Sequence, residues 1–218
     1  MDPRTALRPG ASVGRAVMIS LVALAAAGCM NSLDMKVASK VPAPLVQKLP
    51  LTVGVYYGKH FRNYAYKENS KERPDWDVKT GASQVAMFNT ILTSMFRKVV
   101  QVSNTHDPNV DGIIAPRIDD MQFALPTETR SELYEAWVKY DIQLYSPAGE
   151  LLTRWPLTGY GKSVDKLLKT KKKALSAAIT LALRDAGAKL ALHFDKAADV
   201  RQWIASAAGN CTANAATC

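Results

Sequence analysis

Between Leu133 and Tyr145 the chain alternates apolar and polar positions almost without a break. Tyr134, Ala136, Val138, Tyr140, Ile142 and Leu144 share one parity; Glu135, Lys139, Asp141 and Gln143 share the other, with Trp137 among them. A period of two with one apolar face predicts an antiparallel strand lying on a core. Ser146-Pro147-Ala148-Gly149 carries Pro and Gly where a type I turn takes them. The strand beyond it, Glu150 to Tyr160, alternates Leu151, Thr153, Trp155 and Leu157, and Pro156 predicts a bend or an edge. Together these segments predict a long hairpin.

Two stretches change to a period of three and four. From Thr80, a plausible cap, the residues Val85, Phe88, Ile91, Leu92, Met95, Phe96 and Val99 make one broad apolar stripe. Arg97-Lys98 stand where cations complement the negative end of a helix. Near the other end, Ala174, Leu175, Ala178, Ile179, Ala182, Ala186 and Leu190 form an alanine-rich stripe able to approach a sheet closely. Gly187 weakens that helix by about 1 kcal/mol relative to alanine unless close packing requires it. A shorter helix is expected over Ala197 to Ala205.

Shorter runs fill in the sheet. Leu51, Val53, Val55 and Tyr57 alternate in a strand that Gly58 ends, and a short strand is expected over Val99 to Val102. Gly112 to Ile118 is another strand, with Pro116 marking an edge or bulge; Met121, Phe123 and Leu125 alternate after it until Pro126. Residues 59 to 79 mix Phe61, Tyr64, Tyr66 and Trp76 with Lys67, Lys71 and Arg73; Asn63 to Tyr66 can extend a strand, Lys67 to Pro74 reads as a mobile loop, and the whole reads as cover over a core edge or a sugar- or headgroup-binding segment. The fold class expected is α/β (α+β): a mixed, largely antiparallel sheet of about 4–5 strands with two main helices packed on one face.

The amino terminus changes the picture from a domain to an exported domain. Arg4, Arg8 and Arg15 precede the apolar run 16–27, and Leu24-Ala25-Ala26-Ala27-Gly28 leads into Cys29. Basic, apolar and small-residue regions in that order are a secretory signal. At 12 residues the run is shorter than the roughly 20 a spanning helix needs. The organisation expected is a signal over 1–28, an extended tether over 29–50 spaced by Pro42, Pro44 and Pro50, a single domain over 51–207 and a small polar tail over 208–218.

Charge and cysteines then add candidates. Losing the signal, with its three arginines and Asp2, takes the net charge from +9 to +7. That surplus suits anionic lipid or glycan, and export makes nucleic acid a poor partner. Lys162, Lys166, Lys169, Lys171, Lys172 and Lys173 crowd the start of the last long helix, where cations oppose the macrodipole. They read either as a patch for anionic partners or as a solvated connector. Cys211 and Cys218 form a possible disulfide in an oxidising compartment, or two tail thiols. Little suggests catalysis: His60, His106 and His193 match no zinc spacing, and Asp119-Asp120, the one tight acid pair, falls where a strand bends. No metal and no cofactor is expected.

Leu24 to Cys29 resembles the lipobox of bacterial lipoproteins, with Ala26 where leucine is usual. The resemblance implies lipid on Cys29 and, with Met30 following rather than aspartate, sorting to the periplasmic face of the outer membrane. The mature chain resembles the small α/β domain of the curli secretion channel lipoprotein, the Pel export lipoprotein and the amino-terminal domain of the Tol translocation protein. The residues that carry this are Leu51 to Val55, Phe96 to Val100, Gly112 to Ile118 and Asp141 to Leu152. It implies a non-enzymatic accessory or scaffold subunit of an outer-membrane assembly or export system, meeting an envelope protein or copies of itself. Two alternatives stand beside it. One is a glycolipid-binding lipoprotein of the lipopolysaccharide-assembly kind. The other is a secreted hydrolase with a polar pocket around Asp119, Asp120 or His60.

Overall fold

The computed structural model describes residues 33–38, 40–69, 75–164 and 170–213. The long hairpin forms as the alternation predicts: β7 (Leu133–Tyr145) pairs antiparallel with β8 (Leu151–Val164). The turn between them closes with the Gly149 amide donating to the Ser146 carbonyl at 3.0 Å. Gly149 sits at φ 88°, a left-handed conformation open to glycine without strain.

Next to the hairpin lies β6 (Gly112–Ala124), then β2 (Leu49–Val55), then β5 (Phe96–Gln101), giving the order β5-β2-β6-β7-β8. The β5–β2 and β2–β6 pairings are parallel and the other two antiparallel. Strand β6 runs unbroken through Pro116. Strand β2 pairs with it only as far as Ile114, so from Ala115 onward that flank has no neighbouring strand to receive a donor. The register slips between Ile118 and Asp120. This bulge at Asp119 explains why the buried residues change parity from Ile114 and Ile118 to Met121 and Phe123. Asp119-Asp120 therefore marks a bulge within a strand and not a turn.

One face of this sheet carries both main helices. These are α2 (Gly81–Met95), following the short α1 (Lys59–Arg62), and, beyond the single turn α3 (Pro126–Thr129), the long α4 (Lys171–His193). Phe88, Ile91, Leu92 and Met95 are buried as their spacing predicts. Two local expectations change. The helix stops at Met95, so Phe96, Arg97 and Val99 belong to β5 and the two cations do not face a helix end. Thr80 is the N-cap but makes no side-chain bond to the helix backbone; its hydroxyl accepts from the Gln84 amide at 2.8 Å. Thr170 does cap α4, accepting from the Lys173 amide. Gly187 has its packing reason: an added Cβ would stand 3.2 Å from Ile91 of α2. A 3-10 turn, Phe194–Lys196, leads to α5 (Ala198–Ala213), which runs eight residues past the helix end expected from the sequence.

The 33–79 region holds the main surprise. β1 (Leu33–Lys36), β3 (Ala65–Glu68) and β4 (Trp76–Lys79) form a second, three-stranded sheet in the order β1-β4-β3. Its inner residues, Trp76 and Tyr66, meet Phe123 of β6 edge-on at 5.3 and 5.1 Å. The aromatics of 59–79 are thus largely part of the core. The stretch read as a tether is drawn in as well: Val37 is buried, and Val41 and Val46 pack against the core while Leu45 stays exposed. Ser83 donates to the Val37 carbonyl, Lys172 to the Asp34 carbonyl at 3.2 Å, and Arg184 to the Lys40 carbonyl at 3.0 Å.

Strand β8 ends the large sheet and is a potential template for another chain. Its centre is guarded. Pro156 has no amide hydrogen, the Tyr160 amide donates to Asp185 at 2.9 Å, and the Thr158 carbonyl accepts from Lys189 at 3.0 Å. Asp185 and Lys189 pair at 2.7 Å, one turn apart on α4. Replacing both by alanine is expected to free this edge and produce concentration-dependent self-association in sedimentation velocity, where the unaltered chain gives less. An unchanged sedimentation profile would show that the edge needs no guard.

Candidate functional site

Two places bring sequence candidates together. The first is the start of α4. Lys171, Lys172 and Lys173 occupy its first turn and are exposed, and Lys172 reaches the Asp34 carbonyl of β1. Lys162 does not join them. It lies on β8 opposite Glu135, with Gly161 beside it facing α4, so its side chain is on the sheet face away from the helices. Lys166 and Lys169 lie outside the described residues, as do Cys29 and Cys218, while Cys211 falls in the last turns of α5. Of the four described lysines, Lys162 thus lies on the sheet face opposite the one on which Lys171 to Lys173 begin α4.

The second place is a cleft of ≈ 440 Å³ at the open flank of β6, beyond the point where β2 stops pairing with it. Its origin is local. The Tyr56 amide makes the last bond to β6, donating to the Ile114 carbonyl at 3.0 Å, and the chain then passes Tyr57-Gly58 and turns into α1. Phe61 of α1 is buried, stacked on Tyr57 at 5.7 Å and edge-on to Phe88 at 5.6 Å, which holds α1 toward the core. The flank of β6 from Ala115 to Ile118 is left uncovered, and it becomes the wall of the cleft. Apolar contributions come from Phe61, Ala115, Pro116 and Ile118; polar ones from Tyr56, His60, Thr105, Arg117, Gln143 and Tyr145.

The polar groups are ordered on one side by a chain of hydrogen bonds. Tyr145 donates to Gln143 Oε1 at 2.7 Å, Gln143 Nε2 donates to Asp141 Oδ2 at 2.8 Å, and Arg154 Nε donates to the same oxygen at 2.9 Å. Asp141 and Gln143 are only 8% and 5% exposed, so these bonds act in a medium that screens poorly. Hydrogen bonding to Asp141 and its charge push the Arg154 guanidinium above its usual value. Asp141 is thereby committed, and no acidic side chain lines the cleft. Arg117, across the ladder from Asp141, is exposed and makes no ion pair or hydrogen bond among the described residues.

Of the residues singled out for a hydrolytic pocket, only His60 lines the cleft; it packs edge-on to Tyr64 at 5.6 Å. Asp119 is exposed at the bulge and Asp120 accepts from Gln122 at 2.7 Å, both outside the lining. Sequence reasoning missed Arg117, Gln143, Tyr145 and Gly58 here. The available signal was Pro116-Arg117, a donorless residue and a cation set within an otherwise apolar strand. Among the described residues no cluster of His, Cys, Asp and Glu could hold a metal ion, and no helix is long and apolar enough to cross a membrane.

No family model matches the chain, and no curated protein matches it in sequence. Solved structures similar in fold include a Xanthomonas campestris protein assigned to the DUF330 family, 12% identical with a TM-score of 0.46, covering 73% of this chain and 92% of its own. A hypothetical protein from Chlamydia trachomatis is 10% identical with a TM-score of 0.41, covering 72% and 99%. A minor lipoprotein from Acinetobacter baumannii is 10% identical with a TM-score of 0.38, covering 75% and 95%.

Proposed function

We propose that this chain is a lipid-anchored, non-enzymatic lipoprotein of the outer membrane, an accessory or scaffold subunit of an envelope assembly or export system. The observation that carries the reading is how soon the domain begins after Cys29. Strand β1 opens at Leu33, four residues on, so a lipid on Cys29 lies within about 14 Å of the first strand. From there the chain runs beside α4 in the same direction. Residues 34 to 40, about 20 Å when extended, match the roughly 18 Å of helix between Lys172 and Arg184 that hold them. The domain would sit close against the bilayer, with Lys171 and Lys173 near the anchored end and able to meet anionic headgroups. Their position at the positive end of α4 destabilises the helix locally, which a headgroup contact would offset.

Two measurements test this. Palmitate should label the unaltered chain and fail to label Cys29→Ser; labelling that persists would remove the anchor and with it the proposal. With the anchor intact, Lys171→Gln and Lys173→Gln together should weaken association with anionic vesicles about fivefold for each lysine removed, with a shallower salt dependence. Lys172→Gln is a separate case, because it also releases β1 from α4.

A further inference from the structure

We propose that the cleft at the open flank of β6, beyond the end of β2, binds a small amphiphilic anion, a carboxylate or phosphate head carrying an apolar body. This site is distinct from the anchor and does not depend on it. The apolar part of the lining is made by Phe61, Ala115, Pro116 and Ile118. The rim carries Arg117, whose guanidinium is unpaired among the described residues, and the wall carries the buried Gln143 amide. No carboxylate lines the cleft, and Asp141 behind Gln143 is held by Arg154 and Gln143. A volume of ≈ 440 Å³ with an apolar body and few fixed polar groups is the ordinary form of a small-molecule site.

Gly58 supplies an independent observation. It caps α1 with φ −59° and ψ 156°, a conformation any residue adopts, so the backbone does not call for glycine. A Cβ added there meets nothing within 4 Å, so packing does not call for it either. Gly58 lines the cleft, and a bulky side chain at this position would narrow its mouth. The other tightly placed glycines have a backbone or side chain against them; this one faces empty space.

The test is calorimetric titration of the full-length chain with four probes: octyl phosphate, octanoate, inorganic phosphate and octanol. One or both of the amphiphilic anions should bind one to one, at least tenfold more tightly than octanol and than inorganic phosphate. Arg117→Gln should weaken that binding at least tenfold through loss of charge-assisted hydrogen bonds, and flatten its dependence on salt. Gly58→Leu should abolish it by occupying the mouth. Both residues border open space, so each variant should keep the far-ultraviolet circular dichroism of the parent. Absence of saturable binding by either amphiphile overturns the proposal, as does unchanged binding in either variant. Inorganic phosphate binding as tightly as octyl phosphate would make this a plain anion site, and octanol binding as tightly would make it an apolar one; either result overturns the assignment.

Discussion

Gly161→Ala is expected to destabilise the domain by about 3 kcal/mol, the upper part of the range for overpacking, because its added methyl has nowhere to move. Gly161 of β8 lies directly under α4. A Cβ there would stand 2.2 Å from the Ala178 carbonyl oxygen and 2.3 Å from the Ala182 nitrogen. These are helix backbone atoms, which no rotamer change can relocate, so α4 must lift off the sheet. That helix buries Ala174, Leu175, Ala178, Ile179, Ala182, Leu183, Ala186 and Leu190, and lifting it loosens them all. Gly159 is in the same situation, 2.2 Å from the Ala182 carbonyl oxygen and 2.8 Å from the Ala186 Cβ. The two substitutions should be less than additive, since one displacement of α4 relieves both. Urea unfolding followed at 222 nm measures this, with Gly58→Ala as the control expected within about 0.5 kcal/mol of the parent. If Gly161→Ala behaved like that control, α4 would not be seated on β8.

The second large effect is alkaline. Tyr57 and Tyr140 are both buried, and burial pushes both phenols up, Tyr140 with a smaller contribution from Tyr64. Tyr57 donates to Asn89 Oδ1 at 2.7 Å, whereas the Tyr140 hydroxyl has no hydrogen-bond partner among the described residues. Above pH ~10 the unfolded chain loses these protons while the folded chain keeps them, so the unfolded state binds fewer protons and stability falls as pH rises. Below that pH their contribution is fully present. Each protected phenol should steepen the loss by about 1.4 kcal/mol per pH unit until its folded-state value is reached. Urea midpoints between pH 8 and 12 should therefore drop more slowly for Tyr140→Phe. At neutral pH the same variant should gain about 1 kcal/mol, because an unsatisfied buried hydroxyl is removed. Equal slopes for the two proteins would mean that the Tyr140 phenol reaches water in the folded state.

How much of this was legible beforehand depended on how local the cause was. The β7–β8 hairpin was legible because alternation, turn residues and return strand are contiguous and reinforce one another. The two main helices were legible for the same reason, but the end of α2 was not. Phe96 and Val99 continue the helical spacing and are apolar again on the strand that follows, so the pattern carries no mark at the switch. The three-stranded sheet was missed because its strands are four residues long and β1 finds its partner far along the chain, Leu33 beside Trp76. Four residues give two side chains per face, too few for a periodicity.

Sequence alone thus determined the kind of domain and its longest elements, because these rest on neighbours within a turn or a hairpin. Tertiary structure decided the rest. It folded the expected tether against α4, put Lys162 on the other side of the sheet from Lys171 to Lys173, and guarded the β8 edge with a pair from α4. It also made the cleft, whose lining comes from residues 56, 58, 60, 61, 105, 115–118, 143 and 145. Those segments meet only because β2 stops pairing at Ile114 while β6 runs on, and where a ladder ends is fixed by what packs beside it.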